Sequence, residues 1–334
     1  MKKGIGIGLL ISAWLACTPA WADGIDSVGL LRTDYVGVGG IDMPKFVQRR
    51  IYVYLMDLFV TNKGFKQALS EIRAAGVSPE KILKRIVVGI PTDVERSEHI
   101  VLWETNEDLS QYKPMIAAHS DAIDTRKHNG MEYYATKREN ECLAILDNLI
   151  VLGSELRVKE VLAAYKEGYR EGPTNAGIRA ELQRVNRQAD AWFVWGLSAK
   201  ESDKIGRADP ILDKSSEGIG MLKLGDIKHG NLSMDFVAGL NAKACVGMKD
   251  DASAKQASDV MNAFLAEMAK DVDVVELGFD QFLSGIKFDK DKADVKLSVN
   301  YDQSKFDALV ALVTQIAKSV PGNMQGSGQG AGVK

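Results

Sequence analysis

Two stretches of this chain echo each other, and they restrict its architecture more than any other feature. Asp34-Tyr-Val-Gly-Val-Gly-Gly-Ile-Asp42 and Asp190-Ala-Trp-Phe-Val-Trp-Gly-Leu-Ser198 superpose Asp34 on Asp190, Val38 on Val194, Gly40 on Gly196 and Ile41 on Leu197. Each is a short apolar run ending in a residue able to cap a helix. Each therefore reads as the first strand of one of two related halves. The second is apolar on both faces, with Trp192, Val194 and Gly196 on one and Phe193, Trp195 and Leu197 on the other. A strand of that kind is covered on both sides, here by helices on one side and by the other half, or a partner, on the second. The glycines of Gly37-Val-Gly-Gly40 mark places where a large side chain or another backbone packs close.

The segments after each echo strand follow a common order. In the first half, Asp42 ahead of Met43-Pro44 starts a helix. Phe46, Val47, Ile51, Tyr54 and Leu55 recur in it at helical spacing, with a break at Asn62-Lys-Gly64 and a resumption to Gly76. Ile82–Ile90 and Glu98–Glu104 form a hairpin, and Asn106 caps a helix through Leu109, Tyr112 and Ile116. Met131–Lys137 and Cys142–Leu146 form a second hairpin, and a strand Leu149–Gly153 feeds the helices Glu155–Lys166 and Ala176–Asn186.

The second half has a polar connection, Ala199–Glu217, in place of the long first helix. A hairpin then joins Ile219–Ile227 to Leu232–Leu240 through Lys228-His-Gly-Asn231, where Gly-Asn is favourable turn chemistry. A helix Ala252–Lys270 follows, then a hairpin of Ile286–Phe288 and Val295–Tyr301, then a last helix carrying Phe306, Leu309, Val310, Val313 and Ile316. This succession predicts an α+β fold of two tandem related lobes, 23–188 and 189–320, each an antiparallel sheet built from hairpins with helices packed on one face. Residues 321–334, rich in Gly, Gln and Ser, read as a disordered tail.

Residues 1–22 read as a signal peptide. Lys2 and Lys3 precede the apolar run Ile5–Ala16, which is too short to span a bilayer, and Ala20-Trp-Ala22 is an A-x-A cleavage site. No later stretch is apolar for the roughly 18 residues that a spanning helix needs. The expectation is export to the periplasm or beyond. Cys17 offers a competing reading as a lipid-attachment cysteine, but Trp14 stands where such sites have Leu, and a good ordinary cleavage site follows. The formal net charge of −3 becomes −5 once Lys2 and Lys3 are removed. An acidic surface of mixed signs argues against nucleic acid as a partner and offers no attraction to anionic membranes. Two cysteines remain, Cys142 and Cys245. In an oxidising compartment they could pair and tie the halves together, or sit as two separately buried thiols; their spacing decides neither.

Taken together, Val38 to Asp42, Ile86 to Gly89, Ile150 to Gly153 and Val158 to Leu162 resemble a group of uncharacterised secreted or surface proteins of myxobacteria and related bacteria. The resemblance runs over most of the mature chain through short apolar motifs. It implies a two-part α+β fold and export, and it supplies no catalytic residues.

The sequence carries few marks of catalytic or metal chemistry. No two of His99, His119, His128 and His229 have helical or metal-ligand spacing, and neither HExxH nor CxxC occurs. Asp289-Lys-Asp291 starts like a calcium loop but lacks its later ligands and its Gly. The glycines near residue 37 lack the Gly-Lys-Ser/Thr of a phosphate loop, so no cofactor is expected. Ser154 lacks the second Gly of a nucleophile elbow and reads as a helix cap. Carboxylate pairs such as Glu139 with Glu141 and Asp271 with Asp273 have no distinguishing spacing. Trp103, Trp192 and Trp195 are candidates to line a ligand groove, against the commoner role of strand aromatics in a core.

The reading these features favour is a non-enzymatic exported envelope protein that binds a partner protein or a small apolar ligand at the seam between lobes. Two others compete with it. One is an envelope hydrolase whose acids are assembled only by the fold. The other is a structural or assembly factor docking through a sheet edge.

Overall fold

The two echo strands lie side by side and pair with each other. In the computed structural model, which describes residues 26–32, 35–60, 78–92, 99–117, 123–137, 141–198, 200–202 and 224–319, β1 (Tyr35–Asp42) runs antiparallel to β8 (Ala191–Gly196), with Val38 opposite Val194 and Gly40 opposite Trp192. Around this pair the described residues form one twelve-stranded sheet. On one side of it come β2 (Leu83–Pro91), β3 (Ile100–Thr105), β7 (Leu149–Ser154), β6 (Glu141–Leu146), β5 (Met131–Thr136) and β4 (Ile123–His128). On the other come β9 (Ile227–Asp235), β10 (Gly239–Met248), β12 (Asp294–Asp302) and β11 (Ile286–Asp291). All neighbours are antiparallel.

The α+β class therefore stands, but the expected pair of separate sheets is replaced by a single one. The reason lies in the apolar echo strands. Each satisfies its outer backbone edge by pairing with the other, so the second half extends the sheet sideways and does not cover its face.

The glycines of β1 act as read from the sequence. A Cβ at Gly40 would stand 2.6 Å from the indole of Trp192, and one at Gly37 would stand 2.5 Å from the ring of Phe193. The large side chains of β8 thus lie flat across the small residues of β1, on opposite faces of the sheet.

Helices cover both faces unevenly. On the first face, α5 (Glu155–Lys166) buries Val158, Val161 and Leu162 against Val151, Ala144 and Leu102, and α6 (Ala176–Arg184) packs over β8 and β9 with Ile178 inward. Glu155–Lys166 matches the sequence expectation residue for residue. Asn175 caps α6 by accepting from Gly177 N and Ile178 N, while its amide donates to Tyr35 O and Gly196 O and so ties the helix to both echo strands. On the opposite face, α4 (Lys113–Ala117) places Ile116 with Ile150, Leu143 and Tyr134. Further along that face α7 (Asp251–Met268) rests Ala254 and Ala257 on Val295 and Met248. Near the centre, α1 (Met43–Phe46) starts at Asp42, whose carboxylate accepts from Lys45 N at 3.1 Å. The helix α2 (Arg50–Val60) and the last helix, α10 (Gln303–Ser319), also lie on this second face.

Three segments differ from expectation. Asn106 does not cap the helix after β3: its amide donates to Lys81 O, and the helical segment starts with a 3-10 turn at Ser110, whose N–H donates to Asp108. Gly230-Asn231 is not a turn but the middle of β9. Gly230 gives room to Trp195, whose ring carbon would stand 2.2 Å from a Cβ there, and the real turn follows Phe236, with Gly239 at φ +122. Packing beneath an aromatic ring competed with turn chemistry as the reason for that glycine. Residues 123–128, which the sequence assigned to no helix or strand, form the edge strand β4, whose Asp124, Arg126 and Lys127 suit an unpaired edge. Lys287, Asp289 and Asp291 mark the other edge, β11, in the same way. The signal peptide with Cys17, the helix resumed at 65–76, the connection 199–217 with its neighbouring strand 219–226, and the tail 321–334 lie outside the described residues in whole or in large part.

Candidate functional site

The first and second halves also meet away from the sheet. Asp190, at the start of β8 with its side chain 1% exposed, accepts from Arg49 Nε at 2.8 Å, Arg49 Nη2 at 3.1 Å and Phe236 N at 2.7 Å. That carboxylate fixes the start of α2 against the β9–β10 turn. The bonds Arg49 donates to Asp190 raise its pKa, against the opposing effect of burial. Beside this clamp the rings of Tyr52, Phe46, Phe236 and Phe306 follow one another at centroid spacings of 6.2, 6.0 and 5.8 Å. The chain of rings runs from α2 across to α10, and Ile51 of α2 with Leu309 and Val310 of α10 joins it. Contacts of this kind are each worth about 0.5–1.5 kcal/mol beyond their area.

Beyond the aromatic chain, α2 and α10 leave a cleft of about 470 Å³ between them. Asp307, Val310, Ala311, Thr314 and Gln315 line it from α10, one stripe at helical spacing, and Tyr54 faces them from α2. Its polar end is built by two helical i,i+4 pairs. Asp307 accepts from Tyr54 Oη at 3.2 Å and Gln303 Nε2 at 2.6 Å, and it forms an ion pair with Arg50. Burial pushes Asp307 up, but the bonds from Gln303, Tyr54 and Arg50 prevail and hold it below the ordinary carboxylate range. Burial, then the Asp307 bond, raises the Tyr54 phenol. The cleft thus presents apolar walls and a polar end whose charges cancel. Arg50 with Tyr54, and Gln303 with Asp307, were visible in the sequence as spaced pairs, but nothing there indicated that the two helices meet.

The three tryptophans do not line one groove. Trp192 is 4% exposed and belongs to the core under α6, with Arg187 over its ring at 5.3 Å. Trp103 and Trp195 lie on the opposite face, three strands and four residues apart by the pairing, or about 20 Å. Trp103 packs toward Ile150 and Leu152, and Trp195 stacks on Phe193 at 6.2 Å. The cysteines are both free. Cys142 on β6 and Cys245 on β10 stand seven strands apart, about 30 Å, against the roughly 7 Å between Cα atoms that a disulfide tolerates. Of the two alternatives for these cysteines, separate thiols is the one the sheet order permits.

A polar cluster sits where α6 ends over β9 and β10. Glu181, fully buried, is met by Asn231 Nδ2, by Arg184 at 2.8 Å and by His229 Nδ1 at 2.8 Å, the last off the line of a well-formed hydrogen bond. Burial would raise Glu181, but His229, Asn231 and Arg184 together lower it. Arg184 also donates to Cys245 Sγ at 3.1 Å and pairs with Asp294. A His-acid pair beside a thiol is the arrangement a hydrolase would need. Here burial, then Asp294, pushes the Cys245 thiol up to about 11, the reverse of nucleophile activation. Among the described residues no group of three or more His, Cys, Asp or Glu is placed to hold a metal ion, and no helix is long and apolar enough to cross a membrane.

The described residues form an α+β protein with a large antiparallel sheet and a cleft between α2 and α10. No family model and no curated protein matches the chain. Among solved structures, three crystal forms of TP0453 are similar. Form I has a TM-score of 0.46 at 7% identity, covering 89% of this chain and 99% of that one. Form III gives 0.46 at 8% identity with 87% and 98% covered, and form IV 0.47 at 8% with 89% and 100% covered.

Proposed function

We propose that this is an exported, non-enzymatic envelope protein that holds a small apolar ligand, or an apolar segment of a partner protein, in the cleft between α2 and α10. The observation that carries the reading is the cleft itself. Its volume of about 470 Å³ falls in the range of small-molecule sites, which combine apolar walls with a few convergent polar groups. With Asp307 and Arg50 cancelling each other, the polar end favours a neutral hydrogen-bonding head on that ligand. The signal-peptide features of residues 1–22 support export to the periplasm or beyond. In the same reading the halves are copies of one ancestral lobe. Support comes from the order β1, β2, β3, β7, β6 outward on one side and β8, β9, β10, β12, β11 on the other, and from Val38 lying opposite Val194.

An assembly factor docking by its sheet edge is less well supported, because both edge strands carry charges that discourage strand addition. The test is extraction of protein purified from the envelope, with mass spectrometry of what it releases. An apolar molecule should leave the wild-type protein and be depleted from Val310→Trp and from Ala311→Leu, with urea unfolding showing that each variant is folded. Wild-type protein that releases nothing above background, or variants that retain as much as wild type, would count against the cleft.

A further inference from the structure

A second cleft, on the other face of the sheet, has a different chemistry. It lies between the 3-10 turn Ser27–Leu30 and α6, with a volume of about 260 Å³. Arg170, Arg179 and Arg187 line it against two acids, Asp26 and Glu171, so it is locally positive in a chain whose formal net charge is −3. We infer that this cleft binds a small oxyanion, a carboxylate or a phosphate.

The arginines are not equivalent. Arg187 is already neutralised, because it donates twice to Asp26 at 2.8 and 3.1 Å and stacks over Trp192. Asp26 also has Arg85 at 3.7 Å, so its charge is fully answered. Among the described residues Arg170 and Arg179 donate to backbone carbonyls, Tyr169 O at 2.6 Å and Thr174 O at 3.0 Å, and neither has a carboxylate within ion-pair distance; Arg170 also lies over the Tyr165 ring at 5.6 Å. Each guanidinium offers five donors in a planar fork, which suits the paired oxygens of a carboxylate or phosphate. Gln183 lines the cleft one helical turn beyond Arg179 and adds an amide donor. Val28, Leu182 and the backbone at Gly29 and Gly172, joined by Gly172 N to Gly29 O at 3.1 Å, supply a small apolar wall for a carbon skeleton. This site is separate from the apolar cleft, and the inference does not depend on that reading.

Titration calorimetry of the mature chain at low salt, with inorganic phosphate and with acetate as probes, tests it. Wild-type protein should bind at least one probe, and binding of phosphate alone would identify a phosphoryl ligand. The double variant Arg170→Gln, Arg179→Gln should weaken binding by about tenfold or more, while Lys255→Gln, which removes an exposed cation on α7, should leave it unchanged. Wild-type protein that binds neither probe at millimolar concentration, or equal weakening by Lys255→Gln, overturns the site. A single substitution, Arg179→Gln, at an exposed position of α6 keeps the test open should the double variant fail to fold.

Discussion

Replacing Asp190 by Ala should be among the most damaging single changes in the described chain. The carboxylate accepts three bonds, two from Arg49 and one from Phe236 N. Its side chain is 1% exposed and that of Arg49 20%, so the partners recover little from solvent when it goes. An orphaned buried N–H costs about 1–3 kcal/mol, and removing one member of a buried ion pair costs about 3–5 kcal/mol. Since Arg49 keeps some access to water, the total for Asp190→Ala should fall at about 3–5 kcal/mol, and Asp190→Asn, which keeps the shape and an acceptor, at about 2 kcal/mol. Urea unfolding at neutral pH measures both. With m near 3 kcal/mol/M the Ala variant should lower the midpoint by about 1 M or more. Arg49→Met should cost a comparable amount, and combining it with Asp190→Asn should add little, since most of each loss is the same pair. If Asp190→Ala costs under about 1 kcal/mol, or if the two losses simply add, the carboxylate is not the clamp between halves that its geometry implies.

Other consequences are sharper in kind than in size. Gly40→Ala puts a methyl group 2.6 Å from the Trp192 indole and should cost about 1–3 kcal/mol by overpacking; adding Trp192→Leu should return part of that loss in the same unfolding assay. The thiols of Cys142 and Cys245 are both raised to about 11, chiefly by burial, so they stay protonated at pH 8. A thiol reagent should label them slowly until urea is added, and intact mass under oxidising conditions should retain two free thiols. Glu155 is held at about 2, first by Lys159, then by Tyr133 and Arg126, against the opposing effect of burial. A depressed carboxylate stabilises the fold above its unfolded pKa near 4.5, and that contribution is lost as pH falls toward 2. Glu155→Gln should therefore flatten the acid limb of stability against pH over that interval and leave its shape near neutrality unchanged.

Local pattern was legible where one residue type had one reason to be there. The Glu155–Lys166 helix, the Asp42 cap and the small residues beneath Phe193 and Trp192 followed from helical period, capping chemistry and strand crowding; Ser154 stands at the N-cap position, but its hydroxyl makes no capping bond. Gly230 was misread because the same residue serves a turn and an aromatic neighbour, and only the pairing with Trp195 separates the two. The edge strand β4 was missed because its outward residues are charged and its alternation is correspondingly faint. The meeting of Arg50 and Tyr54 with Asp307, more than 250 residues on, leaves no trace in local periodicity. It depends on the whole sheet being assembled first.

The central joint has a further meaning. Val38 opposes Val194 in an antiparallel ladder, and a ladder of that kind is self-complementary about its midpoint. A gene encoding only the segment through α5 would expose the β1 edge with nothing to seal it, and two such products could close it on each other by the same geometry. The intact polypeptide carries both edges in one chain, so they need not find one another at high concentration.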